Sequence, residues 1–205
     1  MSVVKKRFFF GLKYLKKIIK RKDKETIISI LDSDGEDNPN MVKKLIKLVN
    51  LKKDYFIFAS RKKRTENNFL KALNQFRLII TFILTGKYIN FGNFSSFPSF
   101  LLNKILSNNN LYLAYSSGVL RNYNKFFFVK IKKNKRFYGN SKVNLKFLIL
   151  HTVKIISVFY KTVFFRTFFL LVLTLLFLED IKLKIIIISF FLIINLILAG
   201  INIFL

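Results

Sequence analysis

The stretch Ile185-Ile-Ile-Ile-Ser-Phe-Phe-Leu-Ile-Ile-Asn-Leu-Ile-Leu-Ala-Gly-Ile-Asn-Ile-Phe-Leu205 decides the fold class. It runs for 21 residues without a charge, broken only by Ser189, Asn195, Gly200 and Asn202. At about 1.5 Å per residue it makes a helix of roughly 31 Å, matching a hydrocarbon core about 30 Å thick. This predicts a membrane-spanning helix.

Working backward, Glu179-Asp-Ile-Lys-Leu-Lys184 is a short polar turn whose charges cancel. Before it, Thr162 to Leu178 forms a 17-residue apolar run, at the short limit for a crossing. Its single charge, Arg166, stands near enough to the start to reach headgroups. The two runs predict a transmembrane hairpin over residues 162–205. Asn195 falls near the middle of its span, where an unpaired amide is unfavourable, so it and the small Gly200 are expected at a helix–helix contact.

Ahead of the hairpin, His151, Lys154, Ser157 and Lys161 recur every three or four residues within an otherwise apolar stretch. Residues 143–161 therefore read as an amphipathic helix lying in the interface plane, with Lys154 and Lys161 toward lipid phosphates. Burying two lysines in hydrocarbon would instead cost roughly 2.5–3.5 kcal/mol each.

Charge is segregated along the chain. The net charge is +27, and residues 1–142 hold 31 of the 37 Lys and Arg against 8 of the 10 Asp and Glu. A mean hydropathy of +0.35 beside so large a charge requires that division. Basic flanks stay on the side of synthesis, so the turn at Glu179 is expected in the far compartment, with the basic region and the C-terminus sharing the near side.

The basic region reads as α+β. Helices are expected over Lys5–Lys24, Met41–Leu51 and Asn67–Leu84, with an acidic, solvated linker at Leu31–Asn40. That linker fails as a calcium loop, because Lys43 stands where a closing Glu belongs. Asp54–Ala59 predicts a strand, Asn90–Asn110 a loop containing a short helix at Phe100–Leu106, and Leu111–Tyr115 with Phe126–Lys132 a β-hairpin. Two clusters, Arg61-Lys62-Lys63-Arg64 and Lys132-Lys133-Asn-Lys135-Arg136, are candidates for anionic lipid, at about 1 kcal/mol per cation near a surface. With their neighbouring aromatics they are also candidates for RNA.

Catalytic constellations are missing from the sequence. There is no cysteine, one histidine, no paired carboxylate outside the acidic linker and no glycine-rich phosphate loop, so neither a catalytic, cofactor nor metal site nor a small-molecule substrate is expected. His151 stands on the lysine-bearing stripe and reads as an interfacial residue.

The abundance of Phe, Ile, Lys and Asn and the absence of Trp reflect codons rich in A and T, as in organelle genomes. The basic, amphipathic start resembles a transit peptide in composition but is expected to be retained. Together these features suggest an organelle-encoded, non-catalytic accessory subunit of a mitochondrial inner-membrane complex, of the respiratory chain, with its basic region and C-terminus on the matrix side. Other membrane subunits and anionic lipid would be its partners. A ribosomal protein of a divergent organelle, binding rRNA through residues 1–142, is the alternative.

Overall fold

The structure is a computed structural model, and it describes residues 3–19, 26–32, 35–61, 68–107, 109–131, 134 and 145–204. A basic α+β domain is followed by two long apolar helices. In chain order the domain contains α1 (Val3–Ile18), β1 (Ile27–Ile30), α2 (Asn40–Leu51), β2 (Phe56–Arg61) and α3 (Asn68–Thr85). It continues with β3 (Ser95–Pro98), α4 (Leu101–Leu106), a 3-10 turn at Asn109–Tyr112, α5 (Tyr115–Asn122) and β4 (Phe126–Ile131). Helices α6 (Leu145–Val158), α7 (Tyr160–Phe177) and α8 (Ile181–Phe204) complete it.

The four strands form one sheet in the order β1-β3-β2-β4. β3 runs antiparallel to both β1 and β2, while β4 lies parallel to β2 with Phe56 opposite Phe126 and Arg61 opposite Ile131. Alternation along β2 sends Phe56 and Phe58 to one face and Ile57 and Ala59 to the other. Phe56, Ile57 and Phe58 are all completely buried. A strand covered on both faces reads as continuous apolar sequence rather than as alternation, as these residues do.

On one face, Phe56, Phe58 and Phe97 pack with Leu12 of α1, Leu101 and Ile105 of α4, and Tyr115 and Val119 of α5. Phe56 stacks on Phe97 at 4.3 Å and on Phe58 at 5.0 Å between ring centroids. On the other, Leu45 and Val49 of α2 cover Ile57, Ala59, Val129 and Ile131.

Three parts of the sheet depart from expectation. Ile27–Ile30 forms an edge strand in a stretch to which no element was assigned, and Ser95–Pro98 is an interior strand where a loop was expected. Pro98 is tolerated because pairing of β3 with β2 stops at Ser96, so its missing N–H falls beyond that ladder. The expected hairpin does not form: Leu111 lies in the 3-10 turn, Tyr115 begins a helix, and β4 pairs in parallel with β2. Gly118 explains the helical alternative. A Cβ there would stand 2.9 Å from the backbone nitrogen of Leu111, so only glycine lets α5 lie directly on that turn.

Among the described residues of the acidic linker, one is folded inward rather than solvated. Asp37 is buried and accepts the backbone N–H of Asp32 at 3.0 Å.

Candidate functional site

The segment that read most clearly as functional is the C-terminal hairpin. Phe159 interrupts the chain between α6 and α7, and Asp180 starts α8 by accepting the backbone N–H of Lys182 on Oδ1 at 2.8 Å. The turn is therefore shorter than the sequence suggested, because Ile181–Lys184 is already helical. Two windows, Tyr160–Phe177 and Ile181–Ile203, are long and apolar enough to cross a membrane.

Only 11% of the first window and 6% of the second is buried. A core helix of a water-soluble protein would be mostly covered at this hydrophobicity. Here Phe165, Phe169, Phe177, Ile186, Phe190 and Leu196 are all more than half exposed. The apolar side chains project around the pair rather than into a shared core.

Between the helices, Phe191 packs on Phe164 and Phe168 at 5.8 and 6.3 Å. One turn toward the domain, Asn195 donates to Thr167 Oγ1 at 3.3 Å and to the Phe191 carbonyl at 2.9 Å. The same amide that is costly alone in hydrocarbon thus has two acceptors within the hairpin. Gly200 faces open space, with no atom within 4 Å of where a Cβ would stand.

The base of the hairpin is sewn into the domain. Val163 and Leu198 are buried with Ile155, Ile156 and Val158 of α6 and with Ile89, Leu113 and Ala114 of the domain. Asn202 donates to Asn110 Oδ1 at 2.7 Å and to the Ser157 carbonyl at 2.8 Å. Arg121 of α5 donates to the Val158 carbonyl and lies over the Tyr160 ring at 5.8 Å. Burial lowers the pKa of Arg121, and Tyr160 acts in the opposite direction.

Arg166 makes a third stitch. Its Nη1 donates to the Ile83 carbonyl at 2.8 Å and approaches that of Phe82 at 3.4 Å, capping the last turn of α3. Gly86 terminates α3 with φ of +71°, and a Cβ there would stand 2.6 Å from Arg166 Nη2. Glycine suits the left-handed turn, and without a Cβ it leaves room for the guanidinium where it stands.

The remaining sequence candidates are dispersed. Lys161 is exposed at the start of α7 and Lys154 is half-buried in α6. Ser157 is completely buried, and the break at Phe159 moves Lys161 onto another helix, so the expected polar stripe of 151–161 is not one continuous face. The exposed first half of α6 is apolar, through Leu145, Phe147, Ile149 and Leu150. Phe147 stacks with His151 at 5.8 Å. Arg61 ends β2, whereas Lys62, Lys63, Arg64, Lys132, Lys133, Lys135 and Arg136 lie outside the described residues.

Three contributors escaped the sequence: Asn202 and Arg121 at the base, and Thr167 between the two helices. A polar residue close to the end of an apolar span was the one available signal for Asn202. Among the described residues no three His, Cys, Asp or Glu side chains gather to hold a metal ion. No protein-family model matches the chain, and neither a curated protein nor a solved structure matches it.

Proposed function

We propose that this chain is a non-catalytic accessory subunit of a membrane complex, inserted through the α7–α8 hairpin and presenting its basic α+β domain on one side of the bilayer. The observation that carries the reading is the apolar surface exposed around both helices. In water such a surface would drive association, whereas acyl chains accommodate it without cost. Helices also satisfy their own backbone hydrogen bonds, the condition for crossing hydrocarbon.

The direction of insertion follows from where the hairpin is held. The start of α7 and the last turns of α8 are both packed against the domain. The turn at Leu178–Asp180 lies at the far end of an 18-residue helix, about 27 Å away along its axis. Because the domain carries the bulk of the positive charge, it and the end of α8 remain on the side of synthesis while the turn crosses. In this orientation the exposed apolar half of α6 meets the interface, with its lysines toward phosphates.

The composition directs the reading to an A/T-biased organelle genome, the mitochondrial inner membrane and the respiratory chain, with the domain on the matrix side. Other membrane subunits and anionic lipid are the partners. Tagged chain solubilised in mild detergent is expected to resist alkaline carbonate beforehand and then migrate with other integral subunits carrying haem or flavin. Recovery with ribosomal particles, or as a carbonate-soluble protein, overturns it.

A further inference from the structure

Where α7 passes the end of α3, the surface opens into a crease of about 610 Å³ lined by Ile83, Lys161, Thr162, Phe165, Arg166 and Phe169. Its lining is of two kinds. Lys161, Thr162 and Arg166 supply two cations and a hydroxyl. Phe165 and Phe169, exposed at 69% and 65%, with Ile83 at 52%, make the rest an open aromatic and aliphatic wall.

The cations have donors to spare. The α3 carbonyls of Phe82 and Ile83 bind Nη1 of Arg166, fixing the guanidinium and leaving its Nε and Nη2 donors for other acceptors. Lys161 has no hydrogen-bond or ion-pair partner among the described residues. A planar guanidinium and an ammonium lining one crease suit a phosphodiester, which accepts several charge-assisted hydrogen bonds at once.

We infer that this crease is a binding site for one acidic phospholipid, its phosphate held by Lys161, Thr162 and Arg166 and one acyl chain lying along Phe165, Phe169 and Ile83. The charge of the occupant follows from two cations with no carboxylate lining the crease, and its amphipathic form follows from the split lining. The site rests on the reading of α7 as membrane-embedded and deepens it. Lipid bound there would bridge α3 to α7 and strengthen the seam on which the domain sits.

The test uses the full chain in nanodiscs, or in detergent with phosphatidylglycerol and phosphatidylcholine supplied in equal amounts, and reads retained lipid by native mass spectrometry. Wild type is expected to keep one phosphatidylglycerol in preference to phosphatidylcholine. Lys161→Gln, which leaves the α3 cap untouched, is expected to weaken that preference roughly fivefold, and Lys161→Glu to abolish it. Lys47→Gln, on the exposed side of α2, is expected to change nothing. Equal retention of both lipids, or a preference that survives both Lys161 variants, overturns the site while the hairpin remains in the membrane. Release of wild-type chain by alkaline carbonate overturns the underlying membrane reading instead.

Discussion

Asn202, in the last turn of α8, donates its side-chain amide to Asn110 Oδ1 at 2.7 Å across 92 residues of sequence. The same nitrogen also reaches the Ser157 carbonyl at 2.8 Å, so one side chain fastens the end of the hairpin to the 3-10 turn and to α6. Asn110 is 4% exposed, and the contact therefore replaces water on the buried side of the bond.

Asn202→Leu is expected to destabilise the hairpin base by about 1–3 kcal/mol, the usual consequence of stranding buried polar partners. Hydrogen exchange should show the loss locally, as faster exchange in α6 and in the last turns of α8. Unchanged protection there would mean that the contact contributes little to the seam.

Gly86→Ala tests the junction between α3 and α7. The positive φ at Gly86 costs an alanine on the order of 1 kcal/mol, and the new Cβ would also push Arg166 off its carbonyls. Denaturation in detergent should therefore show coupling: Gly86→Ala combined with Arg166→Ala is expected to cost less than the sum of the two single changes. Strict additivity would separate the glycine from the arginine.

Burial raises the pKa of Tyr115 above its ordinary value, with the Ser95 hydrogen bond working the other way, so the folded protein holds that proton at a pH where the unfolded chain releases it. Its contribution is intact below about pH 10 and declines as pH rises beyond, by up to about 1.4 kcal/mol per pH unit. Tyr115→Phe is expected to cost about 1 kcal/mol at neutral pH through the lost 2.9 Å bond to Ser95. It should also flatten the alkaline fall in stability by one proton. A variant as alkali-sensitive as wild type would contradict this.

Phe58→Ala separates the two halves of the molecule. Phe58 is completely buried between Phe56 and Phe91, and its truncation is expected to remove about 3–5 kcal/mol from the domain core. Protease should then degrade the domain while α7 and α8 stay in the carbonate-resistant fraction. Simultaneous loss of both would show that the hairpin depends on the domain for insertion.

The hairpin was legible because its signal is local: an uncharged run such as Ile185–Leu205 says what it needs without reference to any neighbour. Helix α2 was legible for a similar reason, through Val42, Leu45, Ile46 and Val49 at helical spacing. The sheet was not. Ser95-Ser-Phe-Pro has no strand pattern of its own and becomes β3 because β1 and β2 pair with it from either side, with the Ser29 and Ser96 hydroxyls 2.7 Å apart. Leu111–Tyr115 failed in the opposite sense, since its β-prone side chains yield to the close contact that Gly118 permits. For Arg166 the position was readable but the partner was not. A charge near the start of a span can reach headgroups, but the carbonyls of Phe82 and Ile83 belong to a helix that ends about eighty residues earlier, and only the folded chain brings them within range.

The absence of cysteine allows the membrane to be mapped directly, because every introduced thiol is the only one. Single cysteines at Phe169, Leu176, Ile186 and Ile193, with controls at Lys47 and Asp180, should be exposed to a membrane-impermeant maleimide in sealed vesicles. The four hairpin positions are expected to resist labelling until detergent is added, while Lys47 and Asp180 label from opposite sides. Rapid labelling of Phe169, Leu176, Ile186 and Ile193 in intact vesicles, at the rate of Lys47, would mean that water or soluble protein surrounds the hairpin, and the membrane assignment would fall.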